Sequence, residues 1–127
     1  MRKIMLVSEH RIFAQSLAAA MKTRSELCFE PYLLSNMGQA ALDAEVLRAD
    51  VVIMDISDAR DKSCGYFIAL CNKLREVLPA CRLILLLPHD DGKCRQMAID
   101  AAQNSMIDDF IYNNASLDYF FAKIEAV

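Results

Sequence analysis

Ala49-Asp50-Val51-Val52-Ile53-Met54-Asp55 is the stretch on which the fold turns. Four apolar residues, three of them β-branched, run straight into an acid. A run so short and so branched reads as a parallel strand buried on both faces. In an open parallel sheet, ligands meet the carboxyl ends of the strands. Asp55 is therefore expected at the lip of the sheet, where the residues closing the neighbouring strands decide its chemistry.

On either side of this strand the pattern alternates. Lys3 to Val7 reads as a first strand, and Ser8 to Arg11 as a polar loop. Ile12, Phe13, Leu17, Ala20 and Met21 recur at helical spacing, which predicts a helix over about 12–23. Phe29 to Leu34 reads as a strand that Pro31 pushes to a sheet edge. Gly38 to Arg48 reads as a short helix, and Ile56 to Ser63 as a polar loop. From Gly65 to Leu78, Phe67, Cys71, Leu74 and Leu78 form a helical stripe, widened by Ile68 and Leu70 and stopped by Pro79. Arg82 to Leu87 is the strongest strand signal, closed by Pro88. A helix follows from Asp91 to about Asn104, with Asp90 or Asp91 as its cap. Phe110 to Tyr112 is a fifth strand. Ser116 opens a last helix with Leu117, Phe120, Phe121 and Ile124 on its apolar face.

Five strands alternating with five helices imply an α/β fold, a parallel sheet covered on both faces. Its 127 residues suit one domain, which buries roughly two-thirds of its surface and needs no disulfide or metal to fold. No repeat, low-complexity segment or linker interrupts the pattern, and nothing after the fifth helix is left over for a second domain. Fifty-five per cent hydrophobic and 24% charged residues fit a compact soluble domain. A formal charge of −3 argues against nucleic-acid binding.

Cysteines 28, 64, 71, 81 and 94 are odd in number and lack a C-x-x-C pair. They read as reduced thiols in a cytoplasmic protein, several packing as small apolar groups, Cys64 and Cys71 on one helix face. Four apolar residues between Met-Arg-Lys and Ser8-Glu9-His10 are too few for an export signal. The run from Tyr66 to Cys71 is too short to span a membrane.

Several segments together resemble the receiver domain of bacterial two-component response regulators, over essentially the whole chain. They are Leu6-Val7-Ser8-Glu9-His10-Arg11-Ile12-Phe13, Asp50-Val-Val-Ile-Met-Asp55-Ile56-Ser57, and Leu85-Leu86-Leu87-Pro88-His89-Asp90-Asp91. The last is Asp109-Phe110-Ile111 followed by Ala115-Ser116-Leu117. The first segment is most similar to receivers that carry a helix-turn-helix output domain. The resemblance implies a doubly wound, flavodoxin-like (βα)5 fold with strand order 2-1-3-4-5. It implies phosphoryl transfer from a histidine kinase to Asp55. It also implies dimerisation or partner binding on the face made by helix four, strand five and helix five.

Such a pocket has two acids after strand one, a hydroxyl residue ending strand four and a lysine after strand five. Here Ser8 and Glu9 stand at the acid pair, Leu87 at the hydroxyl and Asn113 at the lysine. Pro88 replaces a small residue, Ala59 a proline, and Gly65 comes later than the usual glycine. Phe110 matches the aromatic that swings inward on activation.

A phosphorylated carboxylate needs magnesium, an ion that takes octahedral oxygen ligands with one or two carboxylates. Glu9, Asp55 and the backbone carbonyl of Ser57 are the candidate ligands, with Asp58 nearby in sequence. Ser8 removes a charge, so metal binding should be weak. A charged hydrogen bond contributes roughly 1.5–3 kcal/mol and a neutral one roughly 0.5–1.5. Losing the lysine and the hydroxyl together costs about 2–4 kcal/mol, on the order of 10²–10³ in rate or occupancy. Without a hydroxyl at Leu87, no contact distinguishes a phosphorylated state from an unphosphorylated one, so phosphoryl-driven switching should fail.

His10 and His89 follow strands that end at one rim. Exposed loop histidines are the simpler reading, against a metal site shared with Asp55. Asp108 and Asp109 read as loop acids at the opposite edge rather than a carboxylate pair. Tyr119, Phe120 and Phe121 should be about half core. Leu87 should narrow access to Asp55. With only Gly38, Gly65 and Gly92, no phosphate-binding glycine loop exists. Three readings follow. The first is an atypical receiver with weak or absent phosphorylation. The second is a phosphorylation-independent interaction or dimerisation module. The last, a small metal-dependent hydrolase using Glu9 and Asp55, is the least favoured, so no enzyme is expected.

Overall fold

In the computed structural model, which describes residues 1–57 and 64–127, five strands form one parallel sheet. The elements are β1 (Arg2–Val7), α1 (Arg11–Thr23), β2 (Phe29–Leu34), α2 (Ala40–Leu47), β3 (Val51–Asp55), α3 (Cys64–Val77), β4 (Arg82–Leu87), α4 (Gly92–Gln103), β5 (Asp109–Tyr112) and α5 (Leu117–Ala126). The sheet order is β2-β1-β3-β4-β5, as expected. Pro31 sits on the edge strand β2, opposite Ile4, where its missing N–H costs no central ladder bond.

Alternation along the central strands divides the core in two. Met5, Val7, Val52, Met54, Leu83, Leu85 and Leu87 point to one face and pack with Ala40 and Ala44 of α2, Phe67 and Leu74 of α3, and Met97 and Ala101 of α4. Ile4, Leu6, Ile53, Ile84, Leu86 and Ile111 point to the other, against Leu17 and Met21 of α1 and Phe120, Phe121 and Ile124 of α5. Two buried faces are what the unbroken apolar runs of β3 and β4 require.

The helices depart from their sequence patterns at identifiable places. Ile12 is 82% exposed, and the buried stripe of α1 is Ala14, Leu17, Ala18 and Met21. Two large apolar side chains had shifted the expected stripe by part of a turn. The helix expected over 38–48 begins instead as a 3₁₀ turn, Met37–Gln39, because the Asn36 side chain accepts from the Gly38 N–H. Arg48, with φ 54°, ends it in the left-handed region. Asp91 caps α4 by accepting from the N–H groups of Lys93 and Cys94. Ser116 caps α5 by accepting from Tyr119 N–H. Within α5, Phe120 and Phe121 are buried, while Tyr119 and Leu117 are exposed.

Asp108 and Asp109 lie at the amino-terminal edge of the sheet, but they are not solvated loop acids. Asp108 pairs with Arg75 at 2.7 Å and Arg82 at 3.2 Å and accepts from Leu83 N–H. Asp109 opens β5 and pairs with Lys123 at 2.9 Å. No helix among the described residues is long and apolar enough to cross a membrane. The Cys64 side chain, Asp58 and Ala59 lie outside the described residues.

Candidate functional site

The site grows from the way the ladder continues past the strand ends. Ser8 N–H donates to Leu34 O (2.9 Å), Ile56 N–H to Leu86 O (3.0 Å) and Asn113 N–H to Leu87 O (2.8 Å). Asp55 is in register with Leu86, which is in register with Ile111. The carboxyl ends of β1, β3, β4 and β5 therefore share one rim.

Asp55 is 6% exposed, and its carboxylate accepts three hydrogen bonds from the described residues. Ser8 Oγ–H donates to Oδ2 at 2.6 Å. Ser57 donates to Oδ1 from its N–H at 2.9 Å and also from its hydroxyl. Ser8 is 2% exposed, and its Oγ accepts from His10 N–H at 3.1 Å. The Ser57 contacts form a turn in which an aspartate side chain binds the backbone two residues on. Sequence reasoning used only the Ser57 carbonyl. An Asp-x-Ser spacing was the signal for this second role.

The remaining positions divide. Glu9 and His10 are exposed. Asn113 does not join Asp55 in any described bond, and its Oδ1 is instead engaged by His89, 3.2 Å from the backbone N and 2.9 Å from Nδ1. Leu87 has no exposed surface and packs into the core with Val7 and Met54. Its bulk is spent on packing under the sheet, not on narrowing an open approach to Asp55, because it shares the pleat direction of Leu83 and Leu85. Pro88 is half-buried. Phe110 is half-buried too, with its ring edge-on to Tyr112 at 5.9 Å.

A magnesium ion is the group that such a pocket would take, and the donors among the described residues do not suit it. A carboxylate offers about four lone-pair directions. Three on Asp55 are filled by protons, and the two hydroxyl groups turn hydrogen rather than oxygen lone pairs toward it. Among the described residues, no three of His, Cys, Asp and Glu cluster to hold a metal.

A sheet ordered 2-1-3-4-5 with helices on both faces is the fold of response-regulator receiver domains. The chain matches a two-component response regulator from Clostridium difficile at 21% identity and TM-score 0.76, covering 99% of this chain and 94% of that one. It matches the N-terminal domain of the nisin resistance regulator NsrR, a lantibiotic response regulator, at 23% identity and TM-score 0.76, covering 100% and 97%. The BeF3-activated receiver domain of DrrB matches at 17% identity and TM-score 0.73, covering 99% and 96%. At these identities the likeness defines the fold. No protein-family profile matches the sequence, and neither does any curated protein.

Proposed function

We propose that residues 1–127 are one receiver-like signalling module with Asp55 as its nominal phosphoacceptor, atypical in that phosphorylation is weak or absent. The observation that carries this reading is the meeting of Ser8, Asp55 and Ser57, from the ends of β1 and β3, on the rim where receivers react. Asp55 stands at the acceptor position. Asn113 brings no cation to it, and Leu87 brings no hydroxyl. Pro88 stiffens the start of the next loop, and Phe110 stands at the switch position without a hydroxyl to follow inward.

In this reading the protein acts in the cytoplasm. A histidine kinase or another signalling protein is its partner, and the face built by α4, β5 and α5 serves for dimerisation. It relays a signal and catalyses no turnover. Magnesium is at most a weak ligand through Glu9, Asp55 and the Ser57 carbonyl, and no step is routed through it. The second reading, an interaction module independent of phosphorylation, is favoured by the three internal donors that already satisfy Asp55.

Incubation with a small-molecule phosphodonor and magnesium, read by intact mass, separates the two. Stoichiometric addition that vanishes in Asp55→Ala supports the receiver reading. No addition under any condition supports the interaction module.

A further inference from the structure

We propose that Ser8 is a built-in lock on Asp55, holding with one hydroxyl proton the place where a divalent cation would sit. The inference rests on the reading of this rim as a receiver-like pocket and adds what controls it.

The direction of the Ser8 proton is fixed by its surroundings. Ser8 Oγ already accepts from His10 N–H at 3.1 Å, so its only proton is aimed at Asp55 Oδ2, 2.6 Å away. The side chain is buried and the backbone N–H is tied to Leu34 O. Turning the hydroxyl over would break the bond to Asp55 inside a buried site, where leaving a polar group unmade is costly. Ser57 completes the arrangement on Oδ1. Among the described residues no buried side-chain nitrogen or oxygen lacks a hydrogen-bond partner. The carboxylate is thus satisfied with no metal.

A carboxylate at position 8 would reverse the situation. It would bring no proton to Asp55 and would set two negative charges against each other in a poorly solvated place. A cation relieves that repulsion, as it does wherever like charges share a site. Removal of the hydroxyl alone opens one lone pair on Asp55 Oδ2. Position 8 therefore sets whether Asp55 Oδ2 is closed on hydrogen or open to metal.

The test is a magnesium chloride titration of the full chain, followed by thermal midpoint and by the amide signals of residues 8, 55 and 57. Wild type, Ser8→Ala, Ser8→Asp and the double variant Ser8→Asp with Asp55→Asn are compared. Wild type is expected to give no saturable response in the millimolar range. Ser8→Asp should have a lower midpoint without metal and regain it with magnesium, binding at least about tenfold tighter than wild type. Asp55→Asn should abolish that response. Ser8→Ala should gain affinity in the same direction, which keeps the proposal testable where the aspartate variant fails to fold.

Saturable wild-type binding as tight as that of either variant overturns the lock, and so does the absence of any gain in both variants. The titration involves no phosphodonor. A chain whose Asp55 is never phosphorylated, yet whose variants separate by magnesium affinity, keeps the lock and loses the receiver reading. The opposite outcome keeps the receiver and loses the lock.

Discussion

Asn113 Oδ1 lies 2.9 Å from His89 Nδ1 and 3.2 Å from His89 N, joining the loop after β4 to the turn after β5. The amide oxygen accepts from the His89 backbone N–H, and the tautomer with its proton on Nδ1 donates to it as well. The residue that the receiver resemblance sets at the lysine position ties two loops together here. Asn113→Ala should free the His89 amide, raising its hydrogen-exchange rate severalfold. Stability should change little, by about 0.5–1.5 kcal/mol, since both groups are exposed. Unchanged exchange at His89 would show that the loop is held by something else.

The strand order and the position of the rim could be read in advance, because β3 and β4 are unbroken apolar runs that only a doubly covered sheet accommodates. The ends of elements were less legible. Asn36 redirects the chain by a local side-chain bond, and Ile12 is apolar yet faces water. The site divides the same way. Set against the acid pair that the resemblance implies, Ser8 announces a lost charge. That its one proton would be aimed at Asp55 depends on the His10 amide behind it, a contact set by the path of the loop. The partnership of Asn113 with His89 had no local signal at all, since the two residues are 24 apart in sequence.

Arg75 organises the opposite edge of the sheet. Its guanidinium donates to Cys81 O at 2.7 Å, to Met106 O at 3.3 Å and to Asp108 at 2.7 Å. Both side chains of the pair are less than a quarter exposed. Arg75→Ala should destabilise the fold by about 2–3 kcal/mol in urea unfolding. Burial pushes the Asp108 carboxyl up, but the Leu83 N–H and the Arg75 and Arg82 guanidiniums outweigh it and hold the pKa below its ordinary value. A lowered folded-state pKa means that this stabilisation is complete above the ordinary carboxylate range. It is lost as pH falls below about 4 through the folded value. The Arg75→Ala variant should therefore lose less of its stability than wild type over that acid range. Parallel pH–stability curves for the two proteins would exclude this role.

Burial separates the thiols by reactivity. Cys71 and Cys81 are enclosed, and loss of solvent pushes both thiols up to about 11. Arg75 nearby opposes the shift without overcoming it. The thiolate is the reactive form, so both should resist iodoacetamide near pH 8. Cys28 is exposed and should react before either of them. Peptide mapping after timed alkylation checks the order, and early modification of Cys71 or Cys81 in the folded protein would contradict it.

Leu87 supplies the sharpest contrast between a pocket position and a core position. A threonine there would place a hydroxyl at the end of β4, on a strand whose other inward residues on that face are Leu83 and Leu85. The side chain is wholly buried in the core on that face of the sheet, and removing its apolar atoms leaves a void there. The new hydroxyl would also need a partner inside the core. Leu87→Thr should cost about 2–4 kcal/mol, from the lost packing and the buried hydroxyl together. The signature is a lower urea midpoint with an unchanged slope. A midpoint equal to that of wild type would mean that position 87 opens onto the rim and that its neighbours in the core are not what hold it.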